Sequence, residues 1–344
     1  MSIKALERHL APLLPFIKTD GVTEICINQP EEIFVEKDSK FICHSMPELE
    51  YSFLETLAAL IAEFNNKDFP APLLSGALPT GERVQFVMSP GCEKDKLVAS
   101  IRRHQMRDMS LDDYVERGAF DEWVVDRSCT TIETDKLKEL YLDNDMYGFL
   151  KHAIKLKKNI LISGGTGTGK TTFLNACLKL IPATERLITV EDTREVTLHQ
   201  PNVARLLFNE EDDRITAQNI FKACLRLRPD RIFLSELRGA EVWSYLRAAN
   251  SGHPGSLSTV HADTPEGAFT QLAFMMQQAG STSSEERIMS YIKSIIPIVI
   301  QLKRDDASDR FMYVSDVHFN QVANPPAQSM SQVTLQPNSK KSNA

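Results

Sequence analysis

One glycine-rich stretch of the sequence, GGTGTGKT, has the residue types needed to hold a chain of phosphates. It fits the pattern G-x-x-x-x-G-K-[ST] in full. Glycines let successive backbone N–H groups converge on phosphate oxygens, and a helix that follows them offers the positive end of its dipole. Lys170 can reach the β- and γ-phosphates of a nucleoside triphosphate, and the Thr171 hydroxyl is placed to bind Mg²⁺. We therefore expect ATP and Mg²⁺ as cofactors. The expected cofactor-binding residues are Gly164, Gly165, Thr166, Gly167, Thr168, Gly169, Lys170, Thr171 and Thr172.

Two acidic residues stand at the ends of apolar runs in the same half of the chain. Glu191 lies at the end of LITVED, and Glu236 near the end of RIFLSEL. Because ligands of an open α/β sheet lie beyond the carboxyl ends of its strands, we expect both carboxylates near the phosphates. In this interpretation Glu191 orients the attacking water, while Glu236 binds Mg²⁺ or shares the role of base. In the alternative, each acid only caps a loop or pairs with Arg194 or Arg238.

Strands and helices alternate along the second half of the chain. The predicted strands are KKNILISG, ERLITVED, DRIFLSEL and SLSTVHAD, and the predicted helices are KTTFLNACLKLI, AQNIFKACLRLR, GAEVWSYLRAAN and EGAFTQLAFMMQQAG. Such alternation indicates an α/β fold, a mostly parallel sheet with helices on both faces. The glycine-rich loop follows the first of these strands and opens the first helix, as phosphate binding requires.

The first half of the chain predicts a smaller α+β domain. VTEICINQPEEIFVE reads as a hairpin that turns at Asn28, Gln29 and Pro30, and ERVQFVMSP and KLVASIRR read as two further strands. SFLETLAALIAEFNN repeats apolar residues at helical spacing. The predicted division of the chain is an N-terminal domain at 1–108, a linker with short helices such as SLDDYVERG at 109–145, a P-loop domain at 146–320 and a disordered polar tail at 321–344.

Composition narrows the possible classes of function. The chain has 39 Lys and Arg against 46 Asp and Glu, a net charge of −7, which argues against a broadly basic surface for nucleic acid. Its six cysteines form no Cys-x-x-Cys pair, so neither a zinc ribbon nor a redox motif is indicated, and reduced, mostly buried thiols are expected. MSIKALERHLAPLLPF is too charged for a signal peptide, and Ile295–Leu302 is far shorter than the roughly 20 residues of a spanning helix. We expect a cytoplasmic protein.

Four segments in order resemble motifs of one family. GGTGTGKTT, ITVEDTREV, RPDRIFLSELRGAE and GHPGSLSTVHADTPEGA are similar to the Walker A motif, Asp box, atypical Walker B motif and His box of the secretion traffic ATPases. The type IV secretion branch is the best match, because VTEICINQPEEIFVE and LPTGERVQFVMSP resemble it as well, so that the resemblance covers roughly residues 10 to 320. It implies a RecA-like ATPase domain joined by a linker to the N-terminal domain, ATP between the two, and a ring of six subunits.

The resemblance also implies residues that the chemistry alone does not single out. His253 and His261 occupy His-box positions and are expected to sense the nucleotide or to couple it to the subunit contact. Arg83 and Arg102 match arginines that contact phosphates in this family, and Arg103 is an alternative to Arg102. The simpler interpretation of each is an arginine on the solvated surface. The expected catalytic residues are thus Glu191, Glu236, Lys170, Arg83, Arg102 and His261, and the expected metal ligands are Thr171 and Glu236.

Two positions depart from the family pattern. Ser235 stands where a standard Walker B strand carries Asp and where relatives usually carry Gly, which shifts weight onto Glu236. RRHQ lacks the proline that relatives tend to have soon after the first arginine.

Together these features predict a mechanoenzyme whose MgATP hydrolysis powers substrate transfer or pilus assembly by a bacterial type IV secretion system. The expected partners are further copies in a homohexamer and components of an inner-membrane secretion complex, with peripheral contact to the inner membrane and no direct nucleic-acid binding. A motor for pilus assembly or retraction, or for type II secretion, is the alternative within the class. A nucleic-acid translocase would need basic or aromatic loops facing a pore, which the sequence lacks, and a nucleotide-gated scaffold would show negligible turnover.

Overall fold

The computed structural model describes residues 3–103, 116, 132–304 and 312–320. The predicted helix SLDDYVERG (residue 116 apart), most of the 109–145 linker and the 321–344 tail lie outside these residues, so they stay predictions.

The described helices are α1 (Ile3–His9), α2 (Leu14–Lys18), α3 (Tyr51–Phe64), α4 (Ile132–Leu142), α5 (Met146–Lys155), α6 (Lys170–Leu178), α7 (Ala217–Cys224), α8 (Glu241–Ala249), α9 (Pro265–Gln278) and α10 (Glu285–Ile295). The described strands are β1 (Val22–Ile27), β2 (Glu32–Lys37), β3 (Lys40–Ser45), β4 (Leu73–Ala77), β5 (Arg83–Met88), β6 (Leu97–Arg102), β7 (Ile160–Gly164), β8 (Leu187–Glu191), β9 (Val203–Leu207), β10 (Arg231–Leu234), β11 (Leu257–Val260), β12 (Ile298–Lys303) and β13 (Tyr313–Phe319).

The N-terminal residues form a six-stranded antiparallel sheet in the order β3-β2-β1-β6-β5-β4. The hairpin of β1 and β2, the strands β5 and β6 and the helix α3 confirm the predicted elements. One face of the sheet is apolar, and Leu54, Leu57 and Ile61 of α3 share a buried core with Ile25 and Phe86 of this face. Strand β3 was not predicted, since most of its side chains are exposed and carry no burial pattern.

The opposite face of this sheet carries a row of charged residues. Glu36, Glu24, Arg102 and Arg83 are cross-strand neighbours on the four adjacent strands β2, β1, β6 and β5. Residues paired directly across strands lie on the same face, so their side chains form one line across the sheet. Nε of Arg102 donates to Oε2 of Glu24 at 2.8 Å.

The second half of the chain forms a seven-stranded sheet in the order β13-β12-β7-β11-β10-β8-β9. Every neighbouring pair is parallel except β12 with β13. This parallel-rich α/β sheet confirms the predicted fold class and the four predicted strands β7, β8, β10 and β11. The stretch Ile295–Leu302 is the end of α10 followed by most of β12, with Pro297 between them. No helix in the described part of the chain is long and apolar enough to cross a membrane.

The two sheets meet through polar contacts at the amino-terminal ends of β8 and β10. Arg186, fully buried just before β8, donates from Nη1 to Oδ1 of Asn28 at 2.7 Å and to Oδ1 of Asn202 at 2.6 Å. Arg228, just before β10, donates from Nη2 to Oε1 of Glu36 at 2.5 Å. The row of charged residues therefore faces the second half of the chain at this edge.

The described cysteines are reduced. Four of them, Cys26, Cys92, Cys177 and Cys224, are buried, and Cys43 is exposed. Burial raises the pKa of the Cys26 thiol to about 11, which keeps it protonated near neutral pH. Among these residues the expectation of reduced, mostly buried thiols is met, and the sixth cysteine lies outside them.

Candidate nucleotide-binding site

The glycine-rich loop joins the fully buried strand β7 to the helix α6. Gly167 and Gly169 have φ angles of 74° and 78°, in the left-handed region that favours glycine. A Cβ on Gly164 would lie 2.9 Å from the carbonyl oxygen of Leu302, which is too close. The loop therefore turns tightly onto the start of α6, where the first backbone N–H groups have no partner within the helix. Thr166 and Thr172, also expected to bind the cofactor, are exposed at its rim.

Lys170 is buried at the base of this loop. Its Nζ donates to the carbonyl oxygens of Gly164 and Gly165, each at 3.0 Å, and lies 3.4 Å from Nδ1 of His261. Burial lowers the pKa of Lys170, with the nearby carboxylate of Glu236 acting in the opposite sense. The ammonium group thus lies against the loop on the side of strand β11, after which His261 follows directly.

His261 joins Lys170 to Glu236. Nε2 of His261 lies 2.9 Å from Oε1 of Glu236. Because an ammonium can only donate, Nδ1 of His261 accepts from Lys170, and Nε2 carries the ring proton. The contact between Nε2 and Glu236 is a close polar contact and not a hydrogen bond, since Oε1 of Glu236 has no hydrogen-bond partner among the described residues. Oε2 of Glu236 accepts from Nη2 of Arg238 at 2.7 Å, and this hydrogen bond raises the pKa of Arg238. The structure brings three of the expected catalytic residues into one chain of contacts, and also forms the Glu236–Arg238 pair of the alternative interpretation.

Glu191 does not lie in this chain of contacts, and its catalytic role stays a prediction. Its side chain is fully buried. Oε1 accepts from the backbone N–H groups of Glu195 and Val196 at 2.9 and 2.8 Å, and Oε2 accepts from Nη1 of Arg194 at 2.9 Å. Three of the acceptor positions of this carboxylate are thus used by donors of the protein itself. It stabilises the turn after β8, as the alternative interpretation had it.

Glu195 is the acidic residue that sequence reasoning missed. Oε2 of Glu195 accepts a hydrogen bond from the Thr171 hydroxyl at 3.1 Å, beside the glycine-rich loop. The carbonyl of Glu195 accepts from the amide of Asn175 at 3.2 Å, which fixes the segment against α6. The available signal was the second glutamate in ITVEDTREV, four residues after Glu191.

The oxygen groups at this point fit a magnesium ion. Mg²⁺ prefers oxygen ligands and is usually held by one or two carboxylates together with substrate phosphates. Thr171 and Glu195 supply a hydroxyl and a carboxylate next to each other. Across the described residues no group of three or more His, Cys, Asp or Glu side chains could hold a metal alone, so a metal here would need the oxygens of a nucleotide. Glu236, the other expected ligand, contacts His261 and Arg238 instead.

His253 and Arg102 lie away from the glycine-rich loop, on the side of the amino-terminal ends of the parallel strands. His253 precedes β11, whereas His261 follows it, and Nδ1 of His253 donates to the carbonyl of Pro229 at 3.0 Å. Burial lowers the pKa of His253, and the positive charges of Arg228 and Arg102 act in the same sense. The structure thus brings Arg102 near His253, at the amino-terminal ends of the strands, and does not bring either residue to the glycine-rich loop at their carboxyl ends.

The other two candidate arginines also lie on the N-terminal sheet. Arg83 is exposed and is the cross-strand neighbour of Arg102. Arg103 donates from Nη1 to the carbonyl of Thr19 at 2.5 Å. Within one chain the arginines expected to contact phosphates are therefore separate from Lys170 and His261.

Comparison with known proteins gives consistent matches. A family model described as "Type II/IV secretion system protein" matches residues 122–335. The type IV secretion system protein VirB11 of Brucella suis biovar 1 is 34% identical over 323 residues, covering 91% of this chain and 89% of the relative. VirB11 of Bartonella quintana is 35% identical over 315 residues, covering 86% and 88%. The crystal structure of the VirB11 ATPase from the Brucella suis type IV secretion system, in complex with sulphate, superposes with a TM-score of 0.87 at 33% identity, covering 92% of this chain and 97% of that one.

Proposed function

The chain belongs to the family of type II/IV secretion system proteins and is an ATPase, and from this premise we propose that it powers substrate transfer or pilus assembly by a bacterial type IV secretion system. The observation that carries the proposal is the chain of contacts from Lys170 through His261 to Glu236 beside the glycine-rich loop. The VirB11 relatives are named as type IV secretion system proteins, which supports this branch over pilus retraction and type II secretion.

In the proposed reaction, ATP binds with its phosphates on the glycine-rich loop. Lys170 exchanges its contacts with the carbonyls of Gly164 and Gly165 for the β- and γ-phosphate oxygens, which costs little because both partners are hydrogen-bond acceptors. His261 remains beside the ammonium and fixes its position on the side of the γ-phosphate. Glu236 holds His261 in the tautomer that can accept from Lys170.

Glu195 takes the role that the sequence assigned to Glu191. Its carboxylate lies beside Thr171, where it can orient the attacking water and accept its proton. Mg²⁺ would be held by Thr171 together with the phosphates and would neutralise charge that develops on them. The remaining catalytic effect comes from positioning and charge neutralisation by Lys170.

The placement of Arg83 and Arg102 supports a ring. Because both lie on the N-terminal sheet near the amino-terminal ends of the strands, we propose that they reach the nucleotide of a neighbouring subunit. A head-to-tail contact of this kind closes into a ring when the rotation permits, and we propose six subunits. Docking of this ring on an inner-membrane secretion complex, from the cytoplasmic side, is part of the same proposal.

The first test is MgATP hydrolysis by the full chain and by Lys170→Ala, with the particle mass recorded in parallel. Lys170→Ala should lower turnover at least about 100-fold, since it removes the main positive charge from the phosphates. Lys179→Ala is the matched control, because Lys179 is an exposed lysine at the other end of the same helix. Undiminished turnover in Lys170→Ala would overturn the proposed site, and a stable monomer that hydrolyses ATP at full rate would overturn the ring.

A further inference from the structure

An aromatic cleft of about 380 Å³ lies where α8, α9 and α10 meet. Its apolar residues are Trp243 of α8, Met276 of α9, and Ile288 and Tyr291 of α10. The ring centroids of Trp243 and Tyr291 lie 6.2 Å apart and the rings are tilted by 41°, so that they form one wall. Trp243 is 41% exposed, which leaves a large apolar surface open to solvent. The aromatic cleft thus offers a docking surface that the described residues do not cover.

The rim of the aromatic cleft offers hydrogen-bond donors. Arg287 is exposed on α10, and Ser281 and Ser283 lie on the loop between α9 and α10. Guanidinium and hydroxyl groups donate to carbonyl oxygens. A polyproline II segment has backbone carbonyls without internal hydrogen bonds, and such segments bind in grooves lined by aromatic rings. The chemistry of the aromatic cleft therefore fits a proline-containing segment in this conformation.

The described part of the P-loop domain ends beside α10. The side-chain amide of Asn320 donates to the carbonyl of Lys293, near the carboxyl end of this helix and two residues after Tyr291. Pro325 and Pro326 follow five and six residues after Asn320, a span of up to about 20 Å when extended. A helix with its side chains is about 10–12 Å in diameter. The segment is therefore long enough to pass around α10 and reach the aromatic wall.

We propose that residues 324–327, Asn-Pro-Pro-Ala, dock in the aromatic cleft of their own chain, with the proline rings against Trp243 and Tyr291. Proline fixes φ near −65°, and the residue before a proline favours an extended backbone, so this sequence is suited to polyproline II. Residues 321–337 contain no charged side chain, so docking buries no unpaired charge. The guanidinium of Arg287 donates to the carbonyls of the docked segment.

The short connection to Asn320 favours this segment over an external one of the same chemistry. A tethered segment has an effective concentration in the range of about 1 mM when its length matches the distance to be spanned. A contact that is weak between separate molecules is then occupied most of the time. The inference goes beyond the proposed function and does not depend on the nucleotide site.

Trp243 serves as the reporter, because the sequence contains only one other tryptophan, Trp123. In a full chain with Trp123→Phe, quenching of fluorescence by acrylamide measures how far Trp243 is covered. Pro325→Ala combined with Pro326→Ala should raise the quenching constant about twofold, since a docked proline covers much of the exposed face of the indole ring. Pro337→Ala is the matched control, because this proline belongs to the same tail and lies beyond the docked residues. The control should have the quenching constant of the unchanged tail.

Hydrogen exchange gives a second readout that does not need Trp123→Phe. Peptides that cover residues 241–249 and 285–295 should exchange faster in the double proline variant than in wild type, and not in Pro337→Ala. If the double variant matched its control in both quenching and exchange, the proline segment would not occupy the aromatic cleft and the inference would fall.

A mixture decides whether the segment docks on its own chain. One protein has Trp243 and both proline substitutions, its companion has an intact tail and Trp243→Phe, and both have Trp123→Phe. After subunit exchange, Trp243 should stay as accessible as in the first protein alone. Recovered protection would mean that the tail reaches a neighbouring chain, which would overturn docking within one chain. Protection that survives the proline substitutions and is lost on dilution would mean that a second copy covers the aromatic cleft, which would overturn the inference as well.

Discussion

The hydroxyl of Thr171 donates a hydrogen bond of 3.1 Å to Oε2 of Glu195, which lies 24 residues further along the chain. This contact joins the first turn of α6 to the segment after β8. It places a carboxylate beside the residue that the phosphate-binding motif assigns to the metal. The preceding glutamate, Glu191, is buried in the protein interior.

Glu195→Gln should therefore bind ATP but hydrolyse it about 100-fold more slowly than wild type, because an amide cannot accept the proton of the attacking water. Steady-state phosphate release gives the rate, and titration calorimetry gives the affinity. Glu55→Gln is the control, since Glu55 is an exposed acid on α3. Near-normal turnover in Glu195→Gln would remove this residue from the mechanism.

Glu191→Gln should mainly lower stability. The variant removes the buried one of two carboxylate partners of Arg194, since Glu93 remains, and it turns an amide group toward backbone donors. The expected cost is about 2 kcal/mol in the free energy of unfolding. Urea unfolding followed by circular dichroism measures this cost. Asp192→Asn, at the next residue, is exposed and should change stability by about 0.5 kcal/mol or less. A stable Glu191→Gln protein that binds ATP and has lost turnover would restore Glu191 as the base.

His261→Ala should lower turnover by about 10- to 100-fold while the affinity for ATP changes little. Without the imidazole, Lys170 and Glu236 each lose the contact with His261 that positions them on the side of the γ-phosphate. His199→Ala serves as the control because His199 is exposed and lies outside the site. A His261→Ala protein with the turnover of wild type would show that the bridge is not used in catalysis.

Mixing two inactive variants tests whether neighbours share a site. Arg102→Ala and Lys170→Ala proteins should each be nearly inactive, since each removes a positive charge from the phosphates. In mixed rings about one quarter of the contacts combine an intact Lys170 with an intact Arg102 of the neighbour, so about one quarter of wild-type turnover should return. Subunits are exchanged at equal concentrations and hydrolysis is measured. If Arg102 served its own chain, no mixture would recover activity.

The pH dependence of stability should report on His253. Its folded pKa lies below the ordinary value of about 6.5, chiefly through burial. Below about pH 6.5 the imidazole of His253 binds a proton more readily in the unfolded chain than in the folded one. The stability that neutral His253 contributes is therefore complete above about pH 6.5 and is lost as the pH falls. Unfolding in urea at pH 7.5 and 5.5 should show a larger loss for wild type than for His253→Asn. Equal losses in the two proteins would mean that His253 does not titrate differently in the folded state.

The ATPase sheet could be predicted because its signals are local. Short apolar runs followed by loops define β7, β8, β10 and β11, and the glycine pattern defines the loop onto α6. The structure of Ile295–Leu302 was harder to predict, since this one apolar run contains both the end of a helix and most of a strand. Periodicity alone does not distinguish such short buried segments.

The site was predictable in its residue types but not in the direction of each side chain. ITVEDTREV offers two glutamates four residues apart, and only the tertiary contacts with Arg194 and the backbone decide that the first is buried. The location of Arg102 depends on how the N-terminal sheet packs against the rest of the chain, through Asn28, Glu36 and their partners. Packing between distant segments leaves no trace in local sequence, so the motif identified these arginines without showing which subunit's nucleotide they would reach.

Strand β10 is short, fully buried and paired with parallel strands on both sides. Arg228, which binds Glu36 of the N-terminal sheet, precedes it, and Glu236, which binds His261, follows it. Its four residues, at about 3.3 Å each, cannot shorten without breaking hydrogen bonds to both neighbours. The strand is therefore a short rigid connection between two contacts: that of Arg228 with the N-terminal sheet and that of Glu236 with His261.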